Sequence, residues 1–182
     1  MRLEHPLNPH RRGRRPTGER GQSLVEFSLI LTPLFLILLG IIQFGFIFNT
    51  YITMTNAARD AARLGTIYEY DRTQTKPVND MLRNESIKAQ LMNSMNFLGK
   101  TTPQFTVGST WSQSGTTFTN GDLVITYVIP TGINDSEPRV GQQITVRATY
   151  HQDLVVPLIS VLLPKDAGGR LSLVGEVTMV LN

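Results

Sequence analysis

The sequence predicts an α+β protein. A long N-terminal helix, transmembrane in one half and head-anchoring in the other, packs on a small, mainly antiparallel sheet. Three observations predict it. Residues Phe27–Ala58 form a run of 32 positions without a charge. Between residues 80 and 98 apolar side chains recur at helical spacing, and after Gly99 the pattern changes to period-two alternation. Of the 182 residues, 41% are hydrophobic and 17% charged. That charge content is low against a typical ~25%, so part of the chain is expected outside water.

The first element is a basic leader, residues 1–21. It holds six arginines against Glu4 and Glu19, whereas the remaining 161 residues hold 11 basic and 12 acidic side chains. The basic balance therefore resides in a tail and not on a folded face. The long apolar run directly after the tail makes it a topology signal, and no nucleic-acid partner is expected.

The second element is a membrane-spanning helix, residues 22–50. Its apolar heart, Phe27–Phe48, is interrupted by Ser28, Thr32 and Gln43. A bilayer core needs ~20 apolar residues in a helix, and a removable signal peptide has an apolar region of only 7–15. Arg11, Arg12, Arg14, Arg15 and Arg20 precede the span, which predicts the N-terminus inside and the C-terminal part outside. Pro33 removes a backbone donor within the span and is expected to kink it.

Glu26 opens the apolar helix, where a charge costs free energy unless partnered or within reach of the headgroups. If the chain is cut after Gly21, the new amine on Gln22 lies one helical turn from Glu26. The two can pair within one chain or between packed chains. Glu26 as a plain interfacial anion near the arginines is the third option.

Beyond the membrane, residues 51–182 read as an extracytoplasmic α+β head that includes the continuing helix to about Tyr68. Gln22 to Tyr68 in one helix is ~70 Å. Ala58, Ala61, Ala62 and Gly65 fall at i, i+3, i+4, i+7 and form a small-residue packing stripe, assigned to the head in preference to a partner. Arg59 and Arg63 lie on another face, where Asp60 is expected to pair with Arg63.

Taken together, Gly21-Gln22-Ser23-Leu24-Val25-Glu26-Phe27, then Pro33, then Gly40 and Gly45, then Asn56-Ala57-Ala58-Arg59-Asp60-Ala61-Ala62-Arg63 resemble the TadE-like pseudopilins of the tight-adherence (Flp, type IVb) pilus system. The resemblance is strong over residues 20–65 and loose beyond. It implies a minor structural component cut after Gly21 by a prepilin peptidase. Glu26 and Phe27 then carry assembly and register. It further implies other pilins or pseudopilins and the Tad inner-membrane platform as partners, no cofactor and no catalysis. The competing class is a signal-anchored extracytoplasmic binding or sensor domain that keeps its leader and never polymerises.

In the head, residues 69–77 read as a loop and Asp80–Leu98 as a second helix with Ile87, Leu91, Met95 and Leu98 on one face. Met81, Met92 and Met95 are read as core and not as metal ligands. Four strands are expected: Gln104–Trp111, Asp122–Ile129, Gln143–Tyr150 and Leu171–Leu181, with turn material between the first two. Leu154–Leu163 is too short for a second span. A buried connection is preferred over an apolar loop on the membrane or a partner.

Cysteine is absent and histidine occurs three times, which leaves little material for thiolate or histidine chemistry. No Walker loop, GxGxxG, HExxH, GxSxG or EF-hand pattern occurs. Asp71, Asp80, Asp122 and Asp135 read as scattered loop carboxylates, with a calcium site a minor alternative. His151 is expected near Asp153 as a surface residue, and Trp111 in the core or on the head surface.

Overall fold

The computed structural model describes residues 18–135 and 138–182. It has α+β architecture, with a five-stranded sheet in the order β1-β2-β3-β4-β5, antiparallel throughout. The basic leader, with Arg11, Arg12, Arg14 and Arg15, lies outside the described residues. The chain divides into two compact units, the first ending at Leu39 and the second being Gly40–Asn182.

Helix α1 is Gly18–Thr66 and contains Pro33. Within the second unit its buried positions are Gln43, Thr50, Met54, Ala57, Ala58, Ala61, Ala62 and Thr66. From Thr50 on, one or two of these positions recur each helical turn, which keeps one stripe facing the head. The alanines are fully buried in the hydrophobic core, so the small-residue stripe packs against the chain's own sheet and second helix. A Cβ on Gly65 would stand 2.8 Å from Ile87 Cδ1 and 3.1 Å from Ile144 Cδ1, which fixes Gly65 between α2 and the sheet.

Helix α2, Lys76–Met95, starts at a proline-containing first turn and buries Ile87, Leu91 and Met95. It begins four residues earlier than the sequence indicated because Pro77 initiates the helix instead of closing the preceding loop. Asn96, at φ 52°, ends it. Leu98 lies beyond it, in a short 3₁₀ turn, Leu98–Lys100, and is half-buried.

The strands are β1 (Ser112–Ser114), β2 (Thr117–Asn120), β3 (Leu123–Val128), β4 (Gln143–Gln152) and β5 (Leu171–Val180). The expected strand Gln104–Trp111 does not form. Its residues are irregular chain, and the strand pair lies immediately downstream in what read as turn material. Phe105 N–H donates to the Thr101 carbonyl and Asp122 N–H to the Thr106 carbonyl, so this segment's backbone is used at isolated points and not in a ladder. The β2–β3 turn depends on Gly121, at φ +57°, where a Cβ would collide with the Thr106 carbonyl.

The inner sheet face carries Phe118, Leu123, Ile125, Tyr127, Ile144, Val146, Ala148 and Tyr150, all buried. They alternate with half-exposed or exposed neighbours along β3 and β4, as one covered face of an antiparallel sheet requires. Phe118 and Tyr127 meet edge to face with centroids 5.8 Å apart. The apolar stretch after β4 forms a short helix α3, Pro157–Leu162. The expected buried connection holds at Val156, which is buried, whereas Val155, Val161 and Leu162 are exposed.

Candidate functional site

The residues singled out in the sequence lie mainly on α1. Gly21 has open space around its Cα, with nothing within 4 Å of a built Cβ. Gln22 Nε2 donates to Glu26 Oε1 at 2.9 Å, one helical turn on. The side-chain amide of Gln22 thus already engages the carboxylate at the spacing proposed for its backbone amine. Glu26 and Phe27 are exposed, as are most apolar side chains from Leu24 to Phe48.

A helix so exposed and apolar needs its polar interruptions satisfied. Ser28 Oγ donates to the Leu24 carbonyl at 2.8 Å, and Thr32 Oγ1 to the Ser28 carbonyl at 3.0 Å. Gln43 is only 1% exposed, and its Oε1 accepts from Val155 N–H at 2.8 Å and Val156 N–H at 3.3 Å. Its amide nitrogen has no hydrogen-bond partner among the described residues. Gly21–Thr66 is long and apolar enough to cross a membrane, with a mean hydropathy of 2.4 over its most apolar window.

The charged pattern after the apolar run differs from expectation. Asp60 accepts from Ser94 Oγ at 3.1 Å, which ties α1 to α2. No ion pair joins Asp60 to Arg63 among the described residues. The fold offers Asp60 a hydroxyl from a neighbouring helix that helical spacing alone does not reveal.

Two polar clusters in the head escaped the sequence reading. In the first, Arg139 and Asp80 form a buried ion pair, with Arg139 Nη2 3.0 Å from Asp80 Oδ2. Arg139 Nε also meets Asp135 Oδ1 at 2.7 Å, and Lys76 Nζ meets Asp135 Oδ2 at 2.9 Å. The Asp135 carboxyl is held below the usual range, first by its hydrogen bond from Arg139, against the opposing effect of burial. Arg139 lies 4.0 Å from the Tyr127 ring centroid, and Tyr127 Oη donates to Asn84 Oδ1 at 2.8 Å. Burial pushes the Tyr127 hydroxyl well above its ordinary pKa. Asp80 and Asp135 are therefore fold-binding carboxylates and not loop ligands.

In the second cluster His151 lies between two carboxylates. Nδ1 is 2.5 Å from Asp166 Oδ2 and Nε2 is 3.1 Å from Asp122 Oδ1. Burial lowers the imidazole pKa, but the Asp166 and Asp122 hydrogen bonds outweigh it and the net shift is upward. Asp153, the expected neighbour, instead binds Arg170 Nε at 2.9 Å and Gln104 Nε2 at 2.5 Å. Ser172 Oγ lies 3.5 Å from His151 Nδ1, the nitrogen already held by Asp166. With both ring nitrogens engaged by carboxylates and the charged form favoured, His151 is an ionic clip and not a base poised on a nucleophile. Among the described residues no group of three or more His, Asp or Glu is placed to hold a metal.

Trp111 is half-buried against the core. Its Nε1 donates to Glu85 Oε1 at 2.7 Å, and Lys88 Nζ lies 5.7 Å from its ring centroid.

The helix carries the decisive comparison: residues 21–63 match the family model of TadE-like proteins. That segment is similar to TadE-like proteins. No curated protein and no solved structure matches the chain. The TadE-like segment holds Gly21, Gln22, Glu26, Phe27 and Pro33, the whole apolar run, and Ala58, Ala61 and Ala62. Gly65 lies just beyond it. Its first part presents apolar side chains outward, and its last part supplies the alanines that hold the head.

Proposed function

We propose that this chain is a minor pilin-like structural component of a type IVb/Flp pilus or Tad secretion machine. It is cut after Gly21 by a prepilin peptidase and assembled through its N-terminal helix. The observation that carries this reading is the coincidence of the TadE-like match at 21–63 with a helix most of whose apolar side chains from Leu24 to Phe48 are exposed. Apolar side chains left exposed among the described residues suit lipid before assembly and neighbouring helices after it.

Glu26 gives the helix its register. Cleavage after Gly21 creates an ammonium group on Gln22, one turn from Glu26, and an ion pair in low dielectric is far stronger than in water. The Gln22 amide holds the carboxylate until a charged terminus, its own or a neighbour's, replaces it. The span crosses the cytoplasmic membrane once, N-terminus inside, with the head outside. Its partners are the peptidase, other pilins or pseudopilins and the platform proteins. The role is structural and not enzymatic.

The test is the N-terminus of the protein from cells with a prepilin peptidase. Mass spectrometry is expected to find Gln22 first. Gly21→Ser should block the cut, and Glu26→Ala should be cut but poorly assembled. Functioning fibres whose subunits retain residues 1–21 would overturn the reading in favour of an uncleaved anchored domain.

A further inference from the structure

Within the unit Gly40–Asn182, α1 and β4 run in opposite directions, and each end of the pair is marked by a hydrogen bond. At one end Thr50 Oγ1 donates to Gln152 Oε1 at 2.8 Å. At the other, the backbone N–H of Asn182, just past β5, donates to the Thr66 carbonyl at 3.4 Å, and Gly141 N–H, just before β4, donates to the Leu181 carbonyl at 2.9 Å. The chain leaving β4 therefore emerges at the apolar end of the helix. There the backbone N–H groups of Val155 and Val156 seize Gln43.

The position of Gln43 gives this contact its meaning. It lies five residues before Phe48, the end of the apolar heart. Five residues of helix span about 7 Å. The segment after β4 is thus pinned beside helix residues inside the apolar run, and any solvent that receives Phe44 and Phe48 also receives this segment. Its composition fits: residues 154–164 carry no charge. Val155 is 73%, Val161 77% and Leu162 81% exposed. The first charge afterwards is Lys165, exposed, whose long stem suits a site where the ammonium reaches phosphate.

We propose that Val155–Leu163 lies in the headgroup–acyl boundary of the leaflet on the head side, a second membrane contact beside α1. The inference rests on α1 being a membrane span. Monotopic segments bury their apolar face ~5–10 Å deep, and the placement of Gln43 meets that range. Two attachment points would fix the rotation of the head about the helix axis. They would also let Gln43 sit within the apolar run with its carbonyl oxygen satisfied, whereas an unbonded one in lipid is costly.

The absence of cysteine makes the test direct. Full-length Val161→Cys and Leu162→Cys proteins are labelled with an environment-sensitive fluorophore. They are placed in phosphatidylcholine–phosphatidylglycerol vesicles carrying nitroxide-labelled acyl chains. Phe35→Cys reports the span. Val140→Cys, also an exposed valine but near the Leu181 end of the head, reports non-specific adsorption. Loss of emission at 35, 161 and 162 with emission retained at 140 is the expected result. Quenching at 35 alone would overturn the inference and leave the span intact. No quenching at 35 would overturn the span and the inference with it. Quenching at 140 equal to that at 161 would also overturn it.

Discussion

Gly175 and Met54 meet backbone to backbone: a Cβ on Gly175 would stand 2.9 Å from the Met54 carbonyl oxygen. This contact sets how closely α1 approaches β5. The neighbouring alanines on α1 are small for the same reason, since a larger side chain would hold the helix off the sheet. Gly175→Val is expected to destabilise the head by about 1–3 kcal/mol through overpacking. Thermal unfolding of the detergent-solubilised full chain, followed by the single tryptophan, measures it. An unchanged midpoint would mean that the helix can retreat without cost.

The Asp80–Arg139 pair is almost wholly buried. Removing one charge leaves the other unpaired in the interior, which typically costs about 3–5 kcal/mol. Asp80→Asn and Arg139→Met should each destabilise strongly, and the double variant should lose much less than their sum. Strict additivity in denaturant unfolding would show that the two side chains act independently.

His151 supplies a pH dependence with a definite sign. Its folded pKa is raised above the ordinary value of 6.5, so its contribution is complete below that value and is lost as pH rises through the folded pKa. The Asp166 carboxyl is shifted the other way, first by the hydrogen bond from the Arg170 backbone. Its contribution is present above its ordinary value of 3.8 and disappears as pH falls through its depressed value. Melting temperature should therefore decline from mildly acid toward alkaline pH, and His151→Ala should flatten that limb. An equal slope in the variant would remove His151 as its source.

Gln43→Leu removes the acceptor for two backbone donors. The expected loss is about 1–3 kcal/mol of local stability for a buried donor left unmade. Hydrogen exchange should accelerate at the Val155 and Val156 amides and not at Val146, in the middle of β4. Protection unchanged at 155 and 156 would show that another acceptor replaces Gln43.

Elements whose signal is local and periodic could be read from the chain. The apolar run, the alanine stripe, the buried face of α2 and the strands β3, β4 and β5 are legible because burial repeats at the period of the backbone. The junction Gly21–Phe27 is legible as a motif for the same local reason, and its match to TadE-like proteins agrees. The remaining features depend on long-range packing. Ser112–Asn120 forms a hairpin because β3 offers Thr117–Asn120 an edge in register, whereas Gln104–Trp111 finds no such partner. Arg139 with Asp80, His151 with Asp122 and Asp166, and Gln43 with Val155 are joined across 59, 29, 15 and 112 residues. No periodicity announces such pairs, because the electrostatic and hydrogen-bonding gain exists only after the sheet has brought the groups together.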